Sequence, residues 1–291
     1  MLLHIAAIIA PLFVCAGIGF VWGRLDRPFD AQMVTGLALS YGMPCLILSS
    51  LTRLDVSGEA FVSVGGAYAL ALVAGMAMGV AVSKLLGLDI RVYAPVLAFS
   101  NSGNMGLPLC LFAFGEAGLP FAFVNLVVSS VVSMTASGGF YSGRTSFDIV
   151  YKNPLVYGVL AAIPFLVVGA RLPAWLANTT ELIGGMAIPL MLIALGVAIS
   201  KLRMIFVAKS LGLSALKLVL CFGIGVAVAE ITGLEGVARG TLILMFSMPV
   251  ALHNYVFAQR FERRPDEVAG MVLASTALSF LTLPLLLWAV L

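Results

Sequence analysis

Residues Ala98–Cys110 read AFSNSGNMGLPLC and lie inside a run, Val92–Phe114, that otherwise has the apolar character of a membrane helix. Two Asn, two Ser, two Gly and a Pro stand where lipid is expected. The rest of the chain makes that position unusual. Of its 291 residues 62% are hydrophobic and 10% charged, with mean hydropathy +1.12. Soluble domains carry roughly a quarter charged residues, so this chain has too little polar surface to cover a particle in water and reads as a membrane protein. A net charge of +3 gives no case for nucleic acid. Cys15, Cys45, Cys110 and Cys221 are scattered through apolar runs, in neither a metal-ligand nor a disulfide pattern. The first run begins at once without a basic leader and reads as a retained helix.

Ten apolar runs follow one another: Leu2–Trp22, Ala31–Leu51, Ala60–Val82, Val92–Phe114, Leu119–Phe140, Leu155–Ala170, Leu182–Ser200, Ile205–Ala229, Gly240–Ala258 and Val268–Leu291. Most approach the ~20 residues that cross the hydrocarbon layer. Connections after odd-numbered runs hold twelve Lys and Arg; those after even-numbered runs hold only Arg53, Arg171 and Arg239. Basic connections stay in the cytoplasm, so both termini are expected on the opposite side, in a multi-pass protein of the inner (plasma) membrane.

The prolines suggest a repeat. Pro44 marks the second run and Pro108 the fourth, 64 residues on; Pro189 marks the seventh and Pro249 the ninth, 60 residues on. Five runs per half is an odd number, so the second half enters from the opposite face, an inverted repeat of the kind secondary transporters use. The expected division is 1–142, a short cytoplasmic linker at 143–153, and 154–291. Irregular backbone at membrane depth is tolerated only where it lines a cavity or is buried in protein. Gly103, Gly106 and Pro108 are expected to break the fourth helix. The second half-helix would aim free N–H groups and a positive dipole end into the gap, beside Asn101, Ser102 and Asn104. Pro249, with Ser247, His253, Asn254 and Tyr255, would form the matching break in the ninth. Such a place suits an anion or a carboxylate.

At these residues the chain resembles the auxin efflux carrier family, in the bacterial branch with malonate- and malate-type carriers. The resemblance rests on NSGNMGLPLC in the fourth run, NPLVYGVLAAIPFLVVGARLP in the sixth, IGGMAIPLMLIALG in the seventh and SMPVALHNYVFAQRF in the ninth. It implies an all-α fold of ten helices related to sodium/proton antiporters and bile-acid symporters. Runs one, two, six and seven would form a dimerising scaffold. The others would form a transport unit that moves as an elevator, with helices four and nine crossing at the substrate. Asn101, Asn104 and Asn254 match the positions where the family's amides meet a substrate carboxylate. His253 departs from the family's pattern and bears on which acid is carried.

Other polar residues fall within the runs. Lys217 is an ionisable group near the middle of the eighth; either it serves an anion site, or donates to carbonyls freed at the crossing, or it snorkels to the cytoplasmic face. His253 is either a proton carrier or a neutral core residue. Asn125 either lines the site or bonds a neighbouring helix, and Tyr41 is placed to border the cavity. No H-E-x-x-H, G-x-S-x-G or intramembrane Asp pair is present, so no enzyme is expected, nor any cofactor or metal. No charged ring or carbonyl-filter motif suggests a channel. The absence of deep Asp or Glu argues against sodium. The expectation is a carrier for a small organic anion, exported or proton-linked, partnered with lipid and a second copy of itself. A sodium-coupled symporter on the same fold and an anion channel are the alternatives.

Overall fold

The computed structural model describes residues 2–53, 58–143, 153–168, 170–203 and 205–291. Among these the regular structure is helical, apart from one isolated β-bridge. In chain order the α-helices are α1 (Leu2–Arg24), α2 (Ala31–Leu37), α3 (Met43–Leu51), α4 (Gly58–Leu85), α5 (Ile90–Ala98), α6 (Leu107–Phe114), α7 (Leu119–Ser142), α8 (Pro154–Val168), α9 (Ala174–Gly185), α10 (Ala187–Lys201), α11 (Val207–Ile231), α12 (Gly236–Phe246), α13 (Leu252–Arg260) and α14 (Pro265–Val290). The linker expected at 143–153 lies outside the described residues but for its two ends.

Among the described residues seven helical stretches are long and apolar enough to cross a membrane: Leu3–Arg24, Ala31–Leu51, Gly58–Leu85, Ser102–Ser142, Ala174–Lys201, Val207–Ile231 and Pro265–Val290. The count falls short of ten for physical reasons. The fourth run is cut after α5 and its remainder joins the fifth through a 3₁₀ turn, Gly115–Gly118. The sixth is short, and the ninth is cut between α12 and α13. The seventh begins at Ala174, eight residues ahead of expectation. Its polar opening, Thr179 and Thr180, satisfies itself by hydroxyl bonds to the carbonyls of Trp175 and Leu176 at 2.7 and 2.9 Å.

Pro108, expected to break the fourth helix, is absorbed instead, and Pro44 is accommodated in the same way. Pro44 and Pro108 each sit at the second position of a helix, α3 and α6, directly after a π-helical turn: Ala38–Gly42 and Ser102–Gly106. Proline has no N–H to give the residue four back, and the wider turn before it accommodates the loss. In the fourth run the chain leaves the helix earlier, at Phe99–Asn101, so Pro108 is not at the break.

Small residues set the closest contacts. α1 runs along α10, where a Cβ on Gly196 would stand 1.9 Å from the Ala16 carbonyl oxygen and one on Gly19 2.0 Å from that of Ile193. α3 packs against α8 and α9; a Cβ on Gly158 or Gly184 would lie 2.8 Å from the Cα of Pro44 or Leu46. α4 packs on α5 and α7, and α11 on α14 and α12. In a bilayer, where apolar burial drives little, such close backbone approach is the main source of helix cohesion.

One end of the molecule carries an ionic tie. Glu267, at the start of α14, accepts from Tyr93 of α5, Lys209 of α11 and Arg264, the last at 2.7 Å. Arg263 Nε donates to the Tyr141 carbonyl at the end of α7, 2.9 Å away. Four helices are thereby pinned at the end richest in Lys and Arg.

Candidate functional site

The two interrupted segments meet. Ser100 and Val250 form an antiparallel bridge. The Asn101 N–H donates to the Pro249 carbonyl at 2.8 Å, and the Ala251 N–H to the Phe99 carbonyl at 3.2 Å. Backbone freed from two helices is thus satisfied strand-to-strand in the protein interior, as a low-dielectric setting demands. Side chains complete the junction. Ser275 of α14 accepts from the Val250 N–H at 3.0 Å, and Ser100 Oγ donates to the Phe246 carbonyl at 2.5 Å. Ser102 Oγ shares hydrogen bonds with Tyr68 at 2.8 Å and Ser129 at 3.4 Å.

Lys217 comes to the same point from α11. It is wholly buried; its Nζ donates to Ser100 Oγ at 2.7 Å and to the Met248 carbonyl. One amino group therefore ties both interrupted segments together, and the side chain does not run to the membrane face.

Against the junction lies a cavity of about 780 Å³. Its floor is Ser100–Asn104 and Ala251–His253; one wall is α7, with Ser129, Ser130 and Ser133. It reaches Ser142, Asn153 and Arg260, residues at the basic end of the molecule. Asn101 caps the π-turn, its Oδ1 accepting from the Asn104 N–H at 3.3 Å. No described carboxylate lines the cavity, and no group of three metal-ligating side chains occurs among the described residues.

Residues 150–287 match the model of the family described as membrane transport protein. The chain is a relative of that family. An uncharacterized transporter of Methanothermobacter thermautotrophicus is 26% identical over 278 residues, 90% of this chain and 89% of that protein. Another uncharacterized transporter, of Methanocaldococcus jannaschii, is 24% identical over 211 residues, 67% of each. The family resemblance read from the sequence is borne out, and this chain, with its apolar helices of membrane-crossing length, is a multi-pass membrane protein.

The junction does not gather every residue singled out from the sequence. Asn101, Ser102, Gly103, Asn104 and His253 line the cavity, and Pro249 sits in the interrupted segment with its carbonyl engaged by Asn101. Pro108 is buried in α6 and does not line it. Asn254 is also outside the lining: α13 turns it toward α7, where its Oδ1 accepts from Ser137 at 3.4 Å. Asn125 is fully buried outside the lining, with neither side-chain polar atom hydrogen-bonded. Tyr41 is 62% exposed and faces outward; Thr35 and Leu39 border the cavity from that run instead. Tyr255 is likewise absent from the lining. His253 leaves its Nε2 buried and unpartnered.

Sequence reasoning missed Ser100, Tyr68, Ser275 and the α7 serines. The last did leave a signal: Ser129, Ser133 and Ser137 recur every four residues and so share one face of a helix.

Proposed function

We propose that this chain is a secondary carrier for a small organic anion, a carboxylate or auxin-like weak acid, working by alternating access. The observation that carries the reading is the junction itself. Two interrupted helices meet beside a polar cavity with amides on its floor, a buried lysine behind it and no described carboxylate. Donors without a facing acid favour a negatively charged guest. The packing groups fit a moving unit: α1, α2–α3, α8 and α9–α10 contact one another, while α4–α7 and α11–α14 form the body around the junction. On this reading the former is the scaffold and dimerises, the whole chain is two inverted five-helix repeats, and both termini lie on the non-cytoplasmic side of the plasma membrane. A transporter relationship also speaks for carriage rather than catalysis.

The substrate reaches Asn101, Ser102, Gly103 and Asn104 on one side and His253 on the other. Export of a monoanion from a cell negative inside gains about 2.3 kcal/mol per 100 mV, so export needs no coupling ion, whereas uptake needs a proton or another source of work. Sodium sites want several oxygens, usually with a carboxylate; the junction offers Lys217 in that place.

The test is a thermal-shift screen of the purified protein with mono- and dicarboxylates (malonate, malate, lactate, indole-3-acetate) against their amides. A site ligand stabilises the folded state in proportion to its occupancy. A carboxylate that stabilises wild type but not Asn104→Ala supports the reading; stabilisation by no acid, or equally by the amides, overturns it. Saturable uptake with counterflow in proteoliposomes, with the acid recovered chemically unchanged, separates a carrier from a channel and from an enzyme.

A further inference from the structure

The basic end of the molecule holds a cation that the ionic tie does not use. Lys209 and Arg264 are engaged by Glu267, and Arg263 by the Tyr141 carbonyl. Arg260, at the last turn of α13, has no carboxylate partner among the described residues; its guanidinium lies 5.8 Å from the centre of the Phe261 ring. Among the described residues that line the cavity it is also the one fully charged side chain. His253, Val256 and Arg260 line it together, spaced three, four and seven residues apart, and so occupy one face of α13. Seven residues of helix rise place Arg260 about 10 Å along the axis from His253. A second basic side chain, Lys217, stands behind the floor, bonded to Ser100. An anion entering from this end thus meets the Arg260 guanidinium at the mouth, in a cleft whose walls concentrate the field.

We infer that Arg260 is the capture site for the substrate's carboxylate at the cavity mouth. The inference rests on the anion-carrier reading and adds the residue that selects for charge on entry. A guanidinium presents a planar fork to a carboxylate and stays charged throughout the accessible pH range. A malonate-sized acid is too short to span about 10 Å, so it docks on Arg260 first and then passes down the α13 face to Asn101 and Asn104. The step concerns arrival, so loss of Arg260 raises KM and leaves maximal rate near wild type.

The experiment uses charged thiol reagents and needs no transported substrate. Met134 of α7 is half-buried and lines the cavity; Met134→Cys places a reporter thiol there, with Ser130→Cys as a second reporter on the same wall. Reaction rates are measured with sulfonatoethyl and trimethylammonioethyl methanethiosulfonate at low salt, with Met134 intact as the background for the native cysteines. A unit charge roughly 10 Å away in water changes the anionic-to-cationic rate ratio by about fourfold. Arg260→Gln should lower the ratio by about that factor at both reporters, Arg260→Lys should restore it, and 1 M salt should abolish the difference. An unchanged ratio in Arg260→Gln overturns the inference, as do reporters that neither reagent reaches. Carboxylates that still stabilise the protein in an Asn104-dependent manner would then leave the carrier reading standing, and only the capture role would fall.

Discussion

The Lys217–Ser100 contact makes a prediction that the geometry alone fixes. Replacing Lys217 by Met removes the ammonium while keeping most of the side-chain length. It leaves the Met248 carbonyl without its donor, about 1–3 kcal/mol for a buried acceptor. It also removes a buried ammonium, whose desolvation costs several kcal/mol. These terms oppose, so the sign of the single variant decides nothing. The pair is decisive. Lys217 Nζ lies 2.7 Å from Ser100 Oγ with both residues buried, and a hydrogen bond with a charged donor contributes about 1.5–3 kcal/mol. Ser100→Ala also loses the bond to the Phe246 carbonyl, but that loss is common to both backgrounds and cancels. A double-mutant cycle of Lys217→Met and Ser100→Ala, read from unfolding of the detergent-solubilised protein, should show a coupling of about 1.5–3 kcal/mol. Additivity within about 0.5 kcal/mol would refute the proposal that one cation holds the two interrupted segments together.

Other expectations follow from single contacts. Ser275→Ala leaves the Val250 N–H without its acceptor and should cost about 1–3 kcal/mol in the same unfolding assay; no loss would mean that water or a neighbour replaces the hydroxyl. Gly196→Ala drives a methyl group into the Ala16 carbonyl and should lower stability by about 1–3 kcal/mol or more, whereas Gly17→Ala, with nothing within 4 Å, should be near neutral. Glu267→Gln loosens the tie to Tyr93, Lys209 and Arg264; a loss of about 1–3 kcal/mol is expected, and a loss no larger than for exposed Glu262→Gln would remove the tie from the account.

How much of this was legible in the sequence follows from range. Apolar runs and loop charges are local properties, and the helices fall within a few residues of the expected runs except where Thr179 and Thr180 disguise the start of α9. The proline pairing at 64 and 60 residues pointed to the two segments that meet, and in the ninth run Pro249 does lie in the interruption. In the fourth, the same rule failed at Pro108, because a π-turn absorbs proline's missing donor and the interruption moves to Phe99–Asn101. The direction of Asn254 was out of reach: adjacent helical residues point about 100° apart, so one step decides between the cavity, where His253 lies, and Ser137. Ser100 and Ser275 act through partners 146 and 25 residues away, a separation no local pattern encodes.

The position of Lys217 bears on how voltage would act on a carrier of this kind. Its Nζ is bonded to the junction itself, so on the proposed reading the cation travels with the substrate site rather than staying in the scaffold. A loaded unit, carrying one ammonium and one monoanion, then moves no net charge; the empty unit moves one positive charge on its return. Each charge crossing the membrane is worth about 2.3 kcal/mol per 100 mV, and that work falls on the empty step. Exchange of substrate for substrate, which uses only loaded crossings, should therefore be insensitive to a potassium-diffusion potential in proteoliposomes, while net efflux should accelerate when the cytoplasm-equivalent side is negative. Lys217→Met, if it still carries substrate, should reverse the pattern, because the loaded unit becomes the charged one. Voltage-sensitive exchange in wild type would show that the ammonium is not carried with the anion, or not charged when it moves.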